Sequence, residues 1–263
     1  MLRVNGVTTL LKAGKPAFGT WITICSQPRT MKLFAACGFD FVVIDMEHTD
    51  FDMHTVGNLV LVAREAGLVP FVRPPGALKP HDLTRPLDAG AMGLVLPMIE
   101  SADQVRWAIE MTKYHPVGKR VMNLQGPHTD YATGNPADLM RHVNENTLIV
   151  LLIENAKGLA NIDEISKVAG VDAIVPGVHD LSQDFGVPAQ DGIGPQVNEA
   201  IERIGAACKA SGVTWGMSSD SAETAERWVS KGVRWLTYSS DSSMLLKQSR
   251  EIVPHLLKIG GRS

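Results

Sequence analysis

The chain has 263 residues, 44% of them hydrophobic, and a formal net charge of −3. This length suits a parallel α/β barrel of about 250 residues, and the slight negative charge argues against a nucleic-acid-binding protein. No apolar run approaches the roughly 20 residues of a membrane helix, and the first residues do not resemble a secretory signal. The three cysteines have no paired spacing, which indicates neither a disulfide framework nor a zinc site. We therefore expect a cytoplasmic protein without membrane contacts.

Eight short apolar runs follow one another along the chain, with helical patterns between them. A run of apolar, mostly β-branched residues without polar alternation is typical of a strand that helices cover on both faces. The predicted strands are residues 18–24, 41–44, 69–72, 93–98, 148–153, 171–175, 213–217 and 233–238. The predicted helices are residues 29–36, 53–66, 83–89, 101–111, 135–145, 196–210 and 241–258. This alternation predicts an α/β fold, one (β/α)8 TIM barrel over residues 1–263 with an extra C-terminal helix.

Two long connections interrupt the regular alternation. Residues 114–134 are polar and rich in Gly, Pro and His, and a connection of this length is often a functional loop or lid. Residues 186–195 form a second predicted loop, between the sixth strand and the helix that precedes the seventh.

Charged residues closely follow four of the predicted strands, at the end where an α/β barrel has its active site. They are Asp45, Glu47 and His48 after the second strand, Arg73 after the third, Glu154 after the fifth and Asp180 after the sixth. Two carboxylates on separate strand ends suit a hard cation such as Mg²⁺ or Mn²⁺, which a 2-oxo acid can chelate. An arginine would stabilise the resulting enolate, and a histidine would act as general base. The set is sufficient for carbon–carbon cleavage next to a carbonyl group.

Each of these residues also has a purely structural explanation. Asp180 could cap a short helix through the Asp-Leu-Ser-Gln sequence, and Glu154 could oppose the dipole of a helix at 155–160. Arg73 could pair with an acid across the rim, and His48 could be an ordinary loop histidine. Asp88, which precedes Ala-Gly, could be a turn former. Coincidence on several strand ends at once is harder to accept than coincidence at any one of them.

Six segments occur in order along almost the whole chain. They are Phe39–His48, Val72–Pro74, Leu87–Ala91, Leu96–Met98, Ile153–Glu154 and Gly177–Ser182. Together, and above all through their I-D-x-E-H and D-L-S elements, they resemble the motifs of the HpcH/HpaI aldolase family. Members of that family are metal-dependent 2-oxo-acid aldolases within the phosphoenolpyruvate/pyruvate barrel superfamily.

The resemblance implies a role for the charged residues at the strand ends. Glu154 and Asp180 would bind a divalent metal cation, Mg²⁺, Mn²⁺ or Co²⁺. Arg73 would contact the pyruvyl oxygen and so serve both catalysis and substrate binding. His48 together with Asp88 would form a water-assisted pair for proton transfer.

The resemblance also implies which residues surround the metal ligands. Asp45 and Glu47 would stand behind the metal and hold its bound water, while Gly177 and His179 would border the substrate. Two positions depart from the usual family pattern. Leu152 stands where a glutamine is usual, and His179 stands where a small residue is usual. We expect these departures to affect the choice of substrate more than the binding of metal.

The implied activity is that of a class II aldolase, a carbon–carbon lyase. It would reversibly cleave a 4-hydroxy-2-oxo acid into pyruvate and an aldehyde through a metal-bound pyruvate enolate. One alternative is an oxaloacetate-type decarboxylase, which passes through the same enolate, and another is a non-catalytic barrel that binds metabolites. The expected partners are the small-molecule 2-oxo acid and aldehyde and further copies of the same chain. The resemblance implies a homohexamer, a dimer of trimers, in which the C-terminal helix packs on a neighbour.

Overall fold

The computed structural model describes residues 2–76, 79–187 and 194–262 of the chain. The strands are β1 (Ala17–Ile22), β2 (Phe41–Asp45), β3 (Val69–Arg73), β4 (Gly93–Leu96), β5 (Leu148–Ile153), β6 (Ala173–Pro176), β7 (Thr214–Ser219) and β8 (Trp235–Ser240). In the described ranges these eight parallel strands close into a barrel in sequence order, with β1 beside β8. Both ends of every strand lie within two residues of a predicted strand end. The predicted (β/α)8 barrel is therefore confirmed.

Helices alternate with the strands and cover the outside of the barrel. They are α1 (Gly6–Lys12), α2 (Thr30–Ala36), α3 (Met53–Glu65), α4 (Pro80–Asp88), α5 (Ala102–Thr112), α6 (Pro136–Asn146), α7 (Ala156–Ala160), α8 (Ile162–Ile165), α9 (Val178–Asp184), α10 (Pro195–Ser211), α11 (Ala222–Ser230) and α12 (Asp241–Ile259). A 3₁₀ helix at Pro127–Thr129 lies within the predicted loop 114–134. The predicted loop 186–195 falls largely outside the described residues. None of the helices in the described part of the chain has the length and apolar character needed to cross a membrane.

Helices α1, α8 and α11 are absent from the sequence prediction. Each of α1 and α8 has fewer than eight residues, and within α11, which is described in full, Trp228 is the sole buried residue. A helix is recognised in a sequence by a repeated apolar stripe, and such short or exposed helices have almost none. Two of them nevertheless have a start signal, because Asn5 caps α1 and Ser221 caps α11 through their side chains.

The inside of the barrel is a packed core. The rings of Phe41, Phe71 and Trp235 meet there, with centroids 4.7 Å apart for Phe41–Trp235 and 5.3 Å apart for Phe41–Phe71. Gly19 and Gly93 leave the space that these rings occupy, since a Cβ atom at either position would overlap a phenylalanine ring. A filled interior leaves no channel, so a substrate can bind only at an end of the barrel.

Helix α1 closes the N-terminal end of the barrel. Val7 is fully buried, and Leu10 and Leu11 pack against the inner core. The Asn5 side chain donates a hydrogen bond to the carbonyl oxygen of Met92, at the entrance to β4, over 2.9 Å. The opposite end, where the strands finish, is therefore the accessible one.

The last helix, α12, confirms the prediction of a helix over 241–258. Its first residue, Asp241, is buried and accepts backbone hydrogen bonds from Thr23, Ile24 and Cys25 over 2.8–3.0 Å. Within this fully described helix no other residue is buried. Its exposed large apolar side chains are Leu245, Leu246, Ile252, Val253, Leu256 and Ile259.

Candidate active site at the carboxyl ends of the strands

The alternation of side chains along the strands brings charged groups to the accessible end of the barrel. Successive strand residues point to opposite faces, so residues two apart share one face. Phe41 and Val43 belong to the inner core, and the next inward position on β2 is Asp45. The same alternation carries β3 to Arg73 and β5 to Glu154. The apolar pattern that builds the core thus also aims these three side chains into the mouth of the barrel.

Arg73 and Asp45 form an ion pair across neighbouring strands. Their Cα atoms are register partners, and the guanidinium donates from Nε to Oδ1 and from Nη2 to Oδ2, both over 2.8 Å. Nη1 lies 3.2 Å from Oε2 of Glu47. Burial works against the positive charge, but the hydrogen bonds and charge of Asp45 outweigh it and raise the pKa of Arg73. The guanidinium is therefore permanently charged and held in one orientation.

Trp21 contacts the other side of this arginine, and the sequence prediction missed it. The guanidinium carbon lies 4.6 Å from the centre of the indole ring. The indole Nε1 donates to Oγ1 of Thr237 over 3.1 Å, and Oγ of Ser218 lies 2.8 Å from the same oxygen. Trp21 is uncharged, so a search for charged residues at the strand ends does not find it. Its inward position at the end of β1 is the signal that could have identified it.

Glu154 lies in a tight environment beside β4 and β6. It is 5% exposed, and its Oε2 accepts a hydrogen bond from the backbone N–H of Met98 over 2.6 Å. Met98 was predicted to be the last residue of the fourth strand, but β4 ends at Leu96, and Met98 has a left-handed φ of 53° in the segment that follows. A Cβ atom at Gly177 would overlap the Glu154 side chain. Asn155, rather than Glu154, caps the following helix α7, so the helix-dipole explanation of Glu154 is not needed.

Burial and neighbouring carboxylates raise the pKa of two glutamates at this rim, Glu154 and Glu47. Burial raises the pKa of Glu154 to about 7, against the opposing effect of the Met98 N–H, and the charges of Asp180 and Glu47 add to the rise. Burial also raises the pKa of Glu47, although Arg73 and His48 oppose it. Like charges held together in a partly desolvated site resist ionisation. A cation between them would relieve that repulsion.

Asp180 and His179 lie in the first turn of α9, and both are exposed. The helix begins after Gly177 without a side-chain cap, so the alternative in which Asp180 caps it is wrong. Asp180 lies four residues after the end of β6, and Gly177 between them lies against the Glu154 side chain, so the two predicted metal ligands are on the same rim. The exposed ring of His179 stands next to the predicted ligand.

The residues at this rim fit a hard divalent cation. Within the described ranges, no three His, Cys, Asp or Glu side chains converge as a ready-made metal site. The two predicted ligands, Glu154 and Asp180, would supply two oxygen ligands and leave the other positions to water and substrate, as Mg²⁺ sites commonly do. Leu152, which belongs to the inner core one inward position before Glu154, cannot act as a ligand.

The predicted proton-transfer pair does not meet within one chain. His48 lies at the rim, where its side chain is 66% exposed and its Nε2 is 3.8 Å from Oε2 of Glu47. Asp88 ends α4, which runs back from β3, and its Oδ1 accepts a hydrogen bond from Arg120 over 2.5 Å. The chain enters β4 only five residues later, at Gly93, beside the start of β3. Asp88 therefore lies at the N-terminal end of the barrel, opposite His48.

Comparison with known proteins decides the family. The model of the HpcH/HpaI aldolase/citrate lyase family matches residues 18–247. The chain belongs to this family. The resemblance that the motifs indicated is thereby confirmed, and the protein is a carbon–carbon lyase of the aldolase type.

Individual relatives of this aldolase match nearly its whole length. It is 30% identical to the 2-dehydro-3,6-dideoxy-6-sulfogluconate aldolase of Pseudomonas putida, over 93% of its own chain and 94% of the relative. It is also 30% identical to the hydroxypyruvate/pyruvate aldolase of Rhizorhabdus wittichii, over 95% and 98% of the two chains. The crystal structure of an HpcH/HpaI aldolase from Desulfitobacterium hafniense has a TM-score of 0.90 and 31% identity, covering 95% of each chain.

Proposed function

We propose that this aldolase reversibly cleaves a 4-hydroxy-2-oxo acid into pyruvate and an aldehyde. The observation that carries the proposal is the pairing of two features on one rim. The buried carboxylate of Glu154 accepts a hydrogen bond from the Met98 N–H and lies against Gly177, just before the helix that carries Asp180. The guanidinium of Arg73 is held from two sides on the same rim. The names of two relatives support a substrate of this class, since one is a hydroxypyruvate/pyruvate aldolase and another, from Shigella sonnei, is a 4-hydroxy-2-oxo-heptane-1,7-dioate aldolase.

Glu154 and Asp180 are the residues that would hold the divalent cation, with Mg²⁺, Mn²⁺ and Co²⁺ as candidates. When bound, such a cation acts as a Lewis acid on the oxygens of a 2-oxo acid. Met98 keeps one oxygen of Glu154 fixed through its backbone N–H. Glu47, on the same rim, would hold water next to the ligands, and Asp45 keeps Arg73 in place behind them.

Arg73 would stabilise the negative charge that develops on the pyruvyl oxygen. Two of its nitrogen atoms are engaged by Asp45, and the remaining Nη1 is directed to the side of Glu47. A charge that is oriented before the reaction needs no rearrangement during it, which is the basis of electrostatic catalysis. Gly177 has no side chain, so the Glu154 side chain can pack directly against its backbone, and Gly177 would border the substrate there. The exposed His179 would border the distal part of the substrate.

His48 would carry the proton between the substrate and water. Its exposed imidazole reaches the rim without a strong ion pair, since the nearest carboxylate oxygen, on Glu47, is 3.8 Å away. Asp88 would complete the pair, and its place at the opposite end of the barrel requires that it come from a second copy. The need for a second copy supports an oligomer, and we propose the homohexamer, a dimer of trimers, that the resemblance of the motifs implies. The exposed apolar side chains of α12 support a contact of that helix with a neighbour.

The remaining partners are small molecules, a 2-oxo acid and an aldehyde. We place the enzyme in the cytoplasm, and the three cysteines are consistent with a reducing compartment because all of them are free. Cys208 is buried, where burial raises its thiol pKa to about 12, so it is not a reactive thiolate.

Retro-aldol cleavage tests the activity. We expect purified enzyme to release pyruvate and an aldehyde from a 4-hydroxy-2-oxo acid, to lose this activity in excess chelator and to regain it with Mg²⁺, Mn²⁺ or Co²⁺. Full activity in excess chelator, or a lysine adduct trapped by borohydride, would contradict the proposal because both belong to a Schiff-base mechanism. Release of carbon dioxide from oxaloacetate without aldehyde formation would favour the decarboxylase alternative.

Complementation between two defective chains tests the shared site. His48→Ala and Asp88→Asn should each be nearly inactive alone. When they are co-expressed, a site that takes His48 from one chain and Asp88 from another is complete, and activity should return. Co-expression of His48→Ala with Arg73→Lys is the matched control, because both residues lie on the same rim and no complete site can form. Recovery in the control, or none in the test pair, would refute a site shared in this way.

A further inference from the structure

Arg120 lies in the predicted loop 114–134, at the N-terminal end of the barrel. Its side chain is 1% exposed, and its Nη2 donates a hydrogen bond to Oδ1 of Asp88 over 2.5 Å. We infer that Arg120 is a positioning residue, which holds the Asp88 carboxylate in the orientation needed by His48 of a second copy. The inference rests on the proposed function, in which Asp88 and His48 act as a pair.

The loop holds Arg120 itself in one place. The guanidinium carbon lies 4.7 Å from the centre of the Tyr114 ring, and the Tyr114 hydroxyl donates to the carbonyl oxygen of Asn123 over 2.8 Å. The backbone N–H of Arg120 donates to the carbonyl oxygen of Lys113 over 2.9 Å. Gly118 permits this tight turn, because a Cβ atom there would overlap the backbone of α5 and Lys113. A guanidinium fixed in this way can fix its carboxylate partner.

Asp88 is the one hydrogen-bond acceptor that the buried guanidinium of Arg120 has among the described residues. Nε and Nη1 are buried, and no residue in the described ranges accepts a hydrogen bond from them. Burial of a charged group with unused donors is unfavourable for stability. Arg64, at the same end of the barrel and 4% exposed, differs because it donates to the Gly90 carbonyl and to Asp130, each over 2.8 Å. Arg64 is thus an ordinary structural arginine and a suitable comparison.

The position of Asp88 at the end of a helix explains why a positively charged partner such as Arg120 stabilises its carboxylate. It is the last residue of α4, where the helix dipole disfavours a negative charge. Its side chain is 36% exposed, and among the described residues Arg120 alone donates a hydrogen bond to it. Oδ1 is therefore engaged by Arg120, while Oδ2 remains available to water or to a group on a neighbouring chain.

Separate measurement of kcat and of the KM for the oxo acid tests the inference. We expect Arg120→Met to lower kcat by about 10- to 100-fold, by analogy with the loss that follows removal of a residue that orients a metal ligand. The KM for the oxo acid should change little, because Arg73, Glu154 and Asp180 lie at the other end of the barrel. Arg120→Lys, which keeps the charge, should recover part of kcat. Arg64→Met removes an equally buried arginine and should lower thermal stability without lowering kcat.

A double-mutant cycle shows whether Arg120 acts through Asp88. The variants are Asp88→Asn, Arg120→Met and their combination, each checked for hexamer size and circular dichroism. If the inference is right, the double variant has the kcat of Asp88→Asn alone, since residues that act as a unit are not additive. Independent, multiplying losses would overturn it. So would wild-type kcat in folded Arg120→Met.

Two further outcomes keep this test separate from that of the proposed function. Wild-type turnover in Asp88→Asn would remove Asp88 from proton transfer and overturn the inference, while chelator-sensitive cleavage by the wild type would leave the aldolase proposal standing. If Arg120→Met does not fold, Arg120→Lys replaces it in the cycle. The inference is supported if Arg120→Lys lowers kcat in the wild-type background but has no further effect in the Asp88→Asn background. It is overturned if Arg120→Lys lowers kcat in both backgrounds.

Discussion

Arg73 and Asp45 lie directly opposite each other on β3 and β2 and share two hydrogen bonds of 2.8 Å. Asp45 is 1% exposed, so this carboxylate has almost no contact with water. The pair is set by strand register rather than by a loop, and Trp21 covers the guanidinium from the other side. A planar, two-point contact of this kind fixes direction as well as charge.

Arg73→Lys should reduce kcat/KM for retro-aldol cleavage by about 100-fold or more, as removal of a charge-stabilising donor commonly does. Lysine keeps the charge but cannot donate two parallel hydrogen bonds to Asp45. Its ammonium group would therefore not be held in position to stabilise the charge on the pyruvyl oxygen. Steady-state kinetics measure the change. Arg106→Lys, at an arginine that is 60% exposed, is the control and should be unchanged. Activity of Arg73→Lys within twofold of the wild type would contradict the proposed role.

His48→Ala should slow exchange of the pyruvate methyl protons by about 10²- to 10⁴-fold, the usual contribution of a general base. Binding of Mn²⁺ and pyruvate should persist, because the exposed His48 contacts neither predicted ligand. Proton NMR in deuterated buffer measures the exchange, and calorimetry measures the binding. His54→Ala, at a histidine whose described contact is with Asn58 on the same helix, is the control. Exchange at the wild-type rate would exclude His48 from proton transfer.

His179→Ala should change the ranking of aldehyde acceptors while metal affinity stays nearly constant. The ring is exposed at the start of α9, next to Asp180, so it can contact the part of the substrate that varies among aldehydes. One contact or one steric exclusion in a pocket is worth about 1–3 kcal/mol, which alters selectivity without removing the chemistry. Values of kcat/KM for small and large aldehydes, with pyruvate as donor, measure the effect. An unchanged ranking would assign His179 a structural role.

Asp241→Asn should destabilise the fold in a pH-dependent manner. Burial raises the pKa of Asp241, but hydrogen bonds from Thr23, Cys25 and Ile24 outweigh it and lower the pKa below its ordinary 3.8. A lowered pKa means that the stabilisation is present above the ordinary value and is lost as pH falls through the folded-state value. We expect a loss of about 2 kcal/mol in the free energy of unfolding at neutral pH, the strength of hydrogen bonds to a charged group.

Urea unfolding at several pH values measures this difference. The gap between the wild type and Asp241→Asn should narrow as the pH falls below about 4, where the wild-type carboxylate is protonated as well. Asp138→Asn, at an exposed carboxylate paired with Arg141, is the control and should change stability by less than about 0.5 kcal/mol. A gap that stays the same at every pH would show that the charge of Asp241 is not responsible.

The sequence by itself determined the barrel and most of its rim. Eight apolar runs specify eight buried strands, and a period of two places Asp45, Arg73 and Glu154 inward at the strand ends. These are local properties, because strand type and side-chain direction follow from a few neighbouring residues. The short motifs were enough to indicate the family, which the family model confirms.

Only the tertiary structure decided which residues meet. Three contacts join residues that are more than 30 positions apart in the sequence. They are the contact of Trp21 with Arg73, the hydrogen bond from Met98 to Glu154 and the hydrogen bond from Arg120 to Asp88. Asp88 and His48, paired by the resemblance, lie at opposite ends of the barrel because α4 reverses the chain direction before it reaches Asp88. Such contacts depend on how strands and helices are closed in space. The spacing of residues along the sequence does not show which of them meet in the folded barrel, and only residues that meet can form a site.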